Sequence, residues 1–150
     1  MHAHERAASV SNLQHSLFIP DSRVSDRHSG NVSIIDVDGP LTAERAARAF
    51  RNRVRDLLDE GAKSFVVNLA EVERIDSYGL GALAAAYNWI AQAHGEMELF
   101  GPQPRVRRML HRLRLDSVLP ILDDEQQALQ ALGRLPLAAS VSGAQDYRGE

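Results

Sequence analysis

Hydrophobic positions change their period several times along this chain, and each change predicts a new element. Residues 31–39, NVSIIDVDG, are β-branched and end in glycine, the pattern of a strand. SRVSD (22–26) is a weaker strand, and the turn-like HSGN (28–31) between them predicts a hairpin with its first strand at the sheet edge. The period then lengthens. In LTAERAARAFRNRVRDLLDEG (41–61), Ala47, Phe50, Val54, Leu57 and Leu58 recur at helical spacing, with Thr42 as the candidate N-cap and Gly61 as the stop. SFVVNLA (64–70) is almost continuously apolar, as a strand buried on both faces must be.

An alanine-rich helix is predicted from about Ser77 to His94, ended by Gly95, with Leu80, Leu83, Tyr87 and Ile90 as its inward stripe. EMELFG (96–101) reads as a strand. PRVRRMLHRLRL (104–115) reads as a basic amphipathic helix with Val106, Met109, Leu110 and Leu113 inward. SVLPILD (117–123) is the last expected strand and DEQQALQAL (124–132) the last helix. Alternating strands and helices imply parallel strands with right-handed crossovers. The expected fold class is therefore α/β: one domain, a mixed and mainly parallel sheet, an N-terminal edge hairpin, and about four α-helices.

The 150 residues suffice for one domain, placed at 22–133. Residues 1–21 and 134–150 lack periodicity and read as flexible tails, the first ending in an apolar clump, Leu17-Phe18-Ile19, suited to docking on the domain. With 17 basic and 20 acidic side chains, net charge −3, no global field favours nucleic acid or an anionic membrane. The absence of cysteine excludes disulfides and thiolate chemistry. No signal-peptide core or membrane-length apolar run is found, so a cytoplasmic protein without membrane insertion is expected. The six histidines show no metal spacing, and neither metal nor cofactor is expected.

Candidate chemistry concentrates in ERIDSYGLGALAAAY (73–87). Gly79, Gly81 and Ala84 satisfy a variant of the dinucleotide fingerprint. That site, however, needs its glycines at the strand-to-helix turn, and about nine residues separate them from the strand end. A nucleophilic Ser77 would need a base and, in a hydrolase elbow, a glycine where Ile75 stands. Ser77 at a helix start also reads as a simple N-cap, or as a hydroxyl exposed for phosphorylation, and these two roles are compatible.

Residues 64–92 resemble the signature of STAS domains, especially the bacterial anti-sigma-factor antagonists. The resemblance rests on Asn68-Leu69 at the strand end, Ile75, and Asp76-Ser77-Tyr78-Gly79-Leu80-Gly81 opening a helix. In order, it extends over about residues 22–133. It implies a non-catalytic partner switch. The serine after the aspartate is phosphorylated by an ATP-dependent serine kinase that is also the anti-sigma factor. The unmodified antagonist binds that kinase, and a PP2C-type phosphatase restores it. By position the phosphoacceptor is Ser77, and Asp76, Ser77, Tyr78, Gly79, Leu80 and Gly81 form the partner-binding segment, the two glycines keeping the helix start slim. Many antagonists carry Ser or Thr where this chain has Tyr78, a difference that would narrow kinase choice or mark a different partner. Two alternatives accompany this reading: an accessory subunit docking on the ATPase of an ABC-type lipid transporter, and a nucleotide- or small-molecule-binding module.

Two features stay open. Arg105, Arg107, Arg108, Arg112 and Arg114 form either a solvated face balanced by Asp116, Asp123, Asp124 and Glu125, or a docking surface for an acidic partner or lipid headgroup. Trp89 either anchors an interface or packs under the basic helix. Few aromatics and a negative net charge argue against nucleic acid; self-association is undecided.

Overall fold

The computed structural model describes residues 22–134. Five strands form one sheet in sequential order: β1 (Arg23–Ser29), β2 (Val32–Asp38), β3 (Ser64–Glu71), β4 (Glu96–Phe100) and β5 (Ile121–Leu122). β1 and β2 are antiparallel, and every later pairing is parallel. The helices are α1 (Ala43–Asp59), α2 (Ser77–Gln92), α3 (Pro104–Arg112) and α4 (Glu125–Arg134), with a single 3₁₀ turn at Leu115–Ser117. The α/β class, the mixed sheet with an edge hairpin, and four helices all follow the sequence expectation. The expected tails and the Leu17-Phe18-Ile19 clump lie outside the described residues, except that Arg134 closes α4.

Alternation along the strands sorts the core into two layers. Ile35, Val37, Phe65, Val67, Leu69, Met97 and Leu99 face α1, α2 and α3. Val32, Ile34, Val66 and Phe100 face Ala128 and Leu132 of α4. Such period-2 sorting on strands buried on both sides explains the continuous apolar run of β3. The hairpin closes through two residues, with Ser29 opposite Val32, and Gly30 takes the φ of +61° that tight hairpin turns require.

Two local expectations are corrected. α3 ends at Arg112, and Arg114 turns into the left-handed region (φ 62°), so Leu113 leaves the inward stripe and is 54% exposed. Ser117 and Val118 are not strand: β5 is only two residues long, because it needs to pair only with Leu99 and Phe100. Trp89, left open by the sequence, lies on the outer part of α2. It is partly buried against the main core, with the Arg55 guanidinium of α1 4.4 Å from its ring centroid.

On the α4 face an ionic network ties three strands to that helix. Arg27 on β1 donates Nε to Asp36 Oδ2 (2.6 Å) and Nη2 to Asp36 Oδ1 (3.0 Å), and it also reaches both Glu125 oxygens. Asn68 donates to Asp36 Oδ1 at 2.8 Å, and its own carbonyl oxygen accepts from the Ala70 N–H. The Arg27 guanidinium, bonded to the carboxylate, holds Asp36 below the usual carboxylate range, assisted by Asn68 and opposed by partial burial. A depressed native pKa makes this contribution complete above the unfolded value of about 3.9, and it fades as pH falls through the native one. Urea midpoints are expected to drop below about pH 4. Asp36→Asn should be less stable at pH 6 by about 1 kcal/mol and show a shallower acid slope. Parallel pH profiles of the two proteins would refute the assignment.

Candidate functional site

The start of α2 is held by the loop that precedes it. β3 ends at Glu71, and the connecting residues are pinned from inside by Val72 and Ile75, both buried. Ile75 pairs with Leu41 in an isolated parallel bridge, and the Leu41 N–H donates to Arg74 O at 2.9 Å. The Gly39 N–H donates to Glu71 O at 3.0 Å. The β3–α2 loop is thus stitched to the β2–α1 loop, at the edge where the parallel strands end. Gln103, at the start of α3, joins them by donating to Ala70 O at 2.9 Å.

Asp76 is the N-cap of α2, in extended conformation (φ −119°, ψ −170°). Its Oδ1 accepts from the Gly79 N–H at 3.1 Å, the usual capping bond to the third residue of the first turn. Its Oδ2 accepts from the Ala43 N–H at 2.8 Å, at the first turn of α1. One carboxylate therefore caps two helices, with its charge at the positive ends of both dipoles. Thr42 stands at the N-cap position of α1 as expected but makes no side-chain capping hydrogen bond. The first amide of the helix, that of Ala43, is instead turned toward Asp76, with Ala43 at φ 66°. That left-handed conformation costs a residue with a Cβ on the order of 1 kcal/mol, which the bond to Asp76 helps offset.

Gly79 lies on the inner side of this junction and is buried. A Cβ built there would stand 2.2 Å from the Leu41 carbonyl oxygen and 2.8 Å from Ile75 Cγ1. The glycine serves close approach of protein backbone, so no pyrophosphate is cradled by it as the dinucleotide fingerprint would require. Gly81 differs. It is exposed, and nothing lies within 4 Å of the Cβ it lacks.

The six residues of the signature consequently divide. Ser77 and Tyr78 are exposed on the first turn, Tyr78 at 53%, and Gly81 continues their outward side one turn on. Leu80 and Gly79 face the core, and Asp76 is half-buried with both oxygens engaged. Only three of the six are openly presented; the other three position them. Sequence reasoning missed the other half of the junction, the Leu41 carbonyl and the Ala43 amide. Both are backbone groups, and the only trace they leave in the sequence is the glycine at 79.

Ser77 is the first helical residue rather than the cap, since Asp76 takes that role. Its hydroxyl makes no hydrogen bond among the described residues. Of the three described histidines, His28 approaches Ser33, His111 pairs with Asp116, and His94 follows the opposite end of α2, so none is engaged as a base for Ser77. The amides of Ser77 and Tyr78 belong to the first turn, where no intrahelical acceptor exists. An exposed hydroxyl beside free amides and a positive dipole end suits the receipt of a phosphoryl group better than nucleophilic catalysis. Beyond this turn α2 carries no charged side chain at all, which is unusual for a helix with an exposed face. Among the described residues no group of three or more His, Asp or Glu is placed to hold a metal ion. No described helix is long and apolar enough to cross a membrane.

Comparison with known proteins adds four likenesses to this geometry. A family model described as the STAS domain matches residues 23–128. The anti-sigma F factor antagonist of Paenibacillus polymyxa is 30% identical over 115 residues, covering 73% of this chain and 94% of that protein. The crystal structure of an anti-sigma factor antagonist from Mycobacterium paratuberculosis is similar with a TM-score of 0.69 at 25% identity, over 75% of this chain and 95% of that one. A crystal structure from Thermotoga maritima gives a TM-score of 0.70 at 28% identity, over 74% of this chain and 95% of that one.

Proposed function

The chain belongs to the STAS domain family, and on that premise we propose that it is a non-catalytic regulator, an anti-sigma-factor antagonist switched by phosphorylation of Ser77. In this role the unmodified protein binds a serine-kinase anti-sigma factor in the cytoplasm and frees the factor that kinase restrains. The kinase transfers the γ-phosphoryl group of ATP to Ser77 Oγ, and a PP2C-type phosphatase removes it. The observation that carries the proposal is the state of Ser77: an exposed, unbonded hydroxyl on the first turn of α2, fixed there by the Asp76 junction.

The same geometry accounts for a switch that leaves the fold intact. A phosphate on Ser77 would bring roughly two negative charges to the amide end of α2, where the dipole favours them. The helix therefore stays formed, and the change falls on the surface made by Ser77, Tyr78 and Gly81. A partner packed closely there meets added bulk and charge, and dissociates. Tyr78, exposed beside the acceptor, is the aromatic that would set which kinase fits.

Incubation with the cognate kinase and ATP, followed by mass spectrometry, is expected to place one phosphate on Ser77. Ser77→Asp should bind the unmodified protein's partner at least about tenfold more weakly than Ser77→Ala, although aspartate supplies only about half the charge of phosphate. No modification at Ser77, together with equal partner binding by Ser77→Ala and Ser77→Asp, would overturn the proposal.

A further inference from the structure

α3 carries a second feature, which lies away from the Ser77 edge. Its first residue follows the end of β4, on the same side of the sheet as the start of α2, and its nine residues run back from that edge for about 14 Å. Its second half borders, with the 3₁₀ turn and β5, an open groove of about 640 Å³, lined by Arg107, Arg108, His111, Arg112, Asp116 and Ile121. That volume falls within the usual range of small-ligand sites, about 300–1,000 Å³. A smaller recess continues it past Arg114 and Ser117.

Arg112 in the last turn suits the helix dipole, but most of the cations here have no ion-pair partner among the described residues. Arg105, Arg108 and Arg112 stand three and four positions apart on one side of the helix, opposite buried Val106 and Leu110. Arg107 has a loose contact with Asp123 at 3.6 Å, while Arg105, Arg108, Arg112 and Arg114 make no ion pair among the described residues. Like charges at this spacing repel one another and weaken the helix. Asp116, the acid within the groove, is held by His111 Nδ1 at 2.7 Å and so is already engaged. Arg108 and Arg112, with no ion pair among the described residues, line this groove together with the apolar side chain of Ile121, a set that suits an anion with two or more oxygens and an attached apolar part.

We propose that this groove binds a phosphate-bearing ligand, with Arg108 and Arg112 on the phosphate oxygens and the rest of the ligand against Ile121. The phosphate belongs either to a free small molecule or to a lipid headgroup, and the test separates the two. The full chain is titrated with pyrophosphate, with amide shifts followed by NMR. It is separately mixed with vesicles containing phosphatidic acid or phosphatidylcholine alone. Saturable shifts confined to residues 105–121, weakened at least about tenfold in Arg108→Gln/Arg112→Gln and unchanged in Ser77→Ala, support the free-ligand form. Binding only to phosphatidic acid vesicles, lost in the same double variant, supports the headgroup form. Both arginines are exposed and their mutual repulsion is removed, so the variant should keep the wild-type circular dichroism and melt no lower than wild type. Absence of binding in both arms, or binding undiminished by the double substitution, overturns the proposal.

Discussion

Gly79→Ala is expected to destabilise the protein by about 3 kcal/mol, whereas Gly81→Ala, two residues further along the same helix, should stabilise it by about 0.5–1 kcal/mol. The difference lies in what each added methyl group would meet. At 79 it would stand 2.2 Å from the Leu41 carbonyl oxygen, a backbone atom that cannot rotate away. Relief requires the β2–α1 loop to move, and that loop is tied to its neighbour by the Leu41 N–H bond to Arg74 and by the Ile75 bridge. At 81 there is open space, so alanine brings only its better helix propensity. Urea denaturation of the two variants measures both signs in one experiment. A Gly79→Ala protein as stable as wild type would show that the close approach of α2 to Leu41 is not what holds this edge together. Because Ser77 is only two residues away, the same variant should also weaken partner binding, whereas Gly81→Ala should impair binding only by the bulk it adds at the surface.

This contrast shows which parts of the site were legible in the sequence. Helical spacing placed the helices, and short β-branched or continuously apolar runs placed the strands, because β2, β3, α1 and α2 each bury a face and burial dictates the pattern. Element ends were harder to place. Leu113 kept the helical spacing, but the chain turned at Arg114, a conformation that residue type does not announce. The segment 76–81 stood out by its residues, and its likeness to a family located Ser77. The division of labour inside the segment was not legible. The two glycines look alike in the sequence, and only the position of a carbonyl from a loop 38 residues earlier separates a packing glycine from a surface one. Thr42 misled for a related reason. It has the right chemistry and place for a cap but makes no capping bond, while the carboxylate of Asp76 reaches the first amide of the helix from another loop. Local signals identify what could cap, whereas the fold decides what does.

Asp76 gives the second large effect, because two helix starts depend on one side chain. Asp76→Ala removes the bonds to Gly79 N–H and Ala43 N–H together, and leaves both amides at the junction without their acceptor. Each cap of this kind contributes about 1 kcal/mol, and a charged acceptor somewhat more, so a loss of about 2–3 kcal/mol is expected. Asp76→Asn should fall between, since an amide side chain offers one oxygen where the carboxylate offers two. It keeps one of the two bonds and turns an NH₂ group toward the other N–H. The order wild type, Asn, Ala in urea midpoint therefore distinguishes the double cap from a residue that acts only by touching a partner. In the latter case all three proteins would unfold at the same urea concentration and differ in binding alone. Hydrogen exchange sharpens the test. The amide of Ala43 lies 33 residues from Asp76 in the chain, and it should lose protection in Asp76→Ala along with that of Gly79. If only Gly79 responds, Asp76 caps α2 alone, and the strained turn at Ala43 is held by something else.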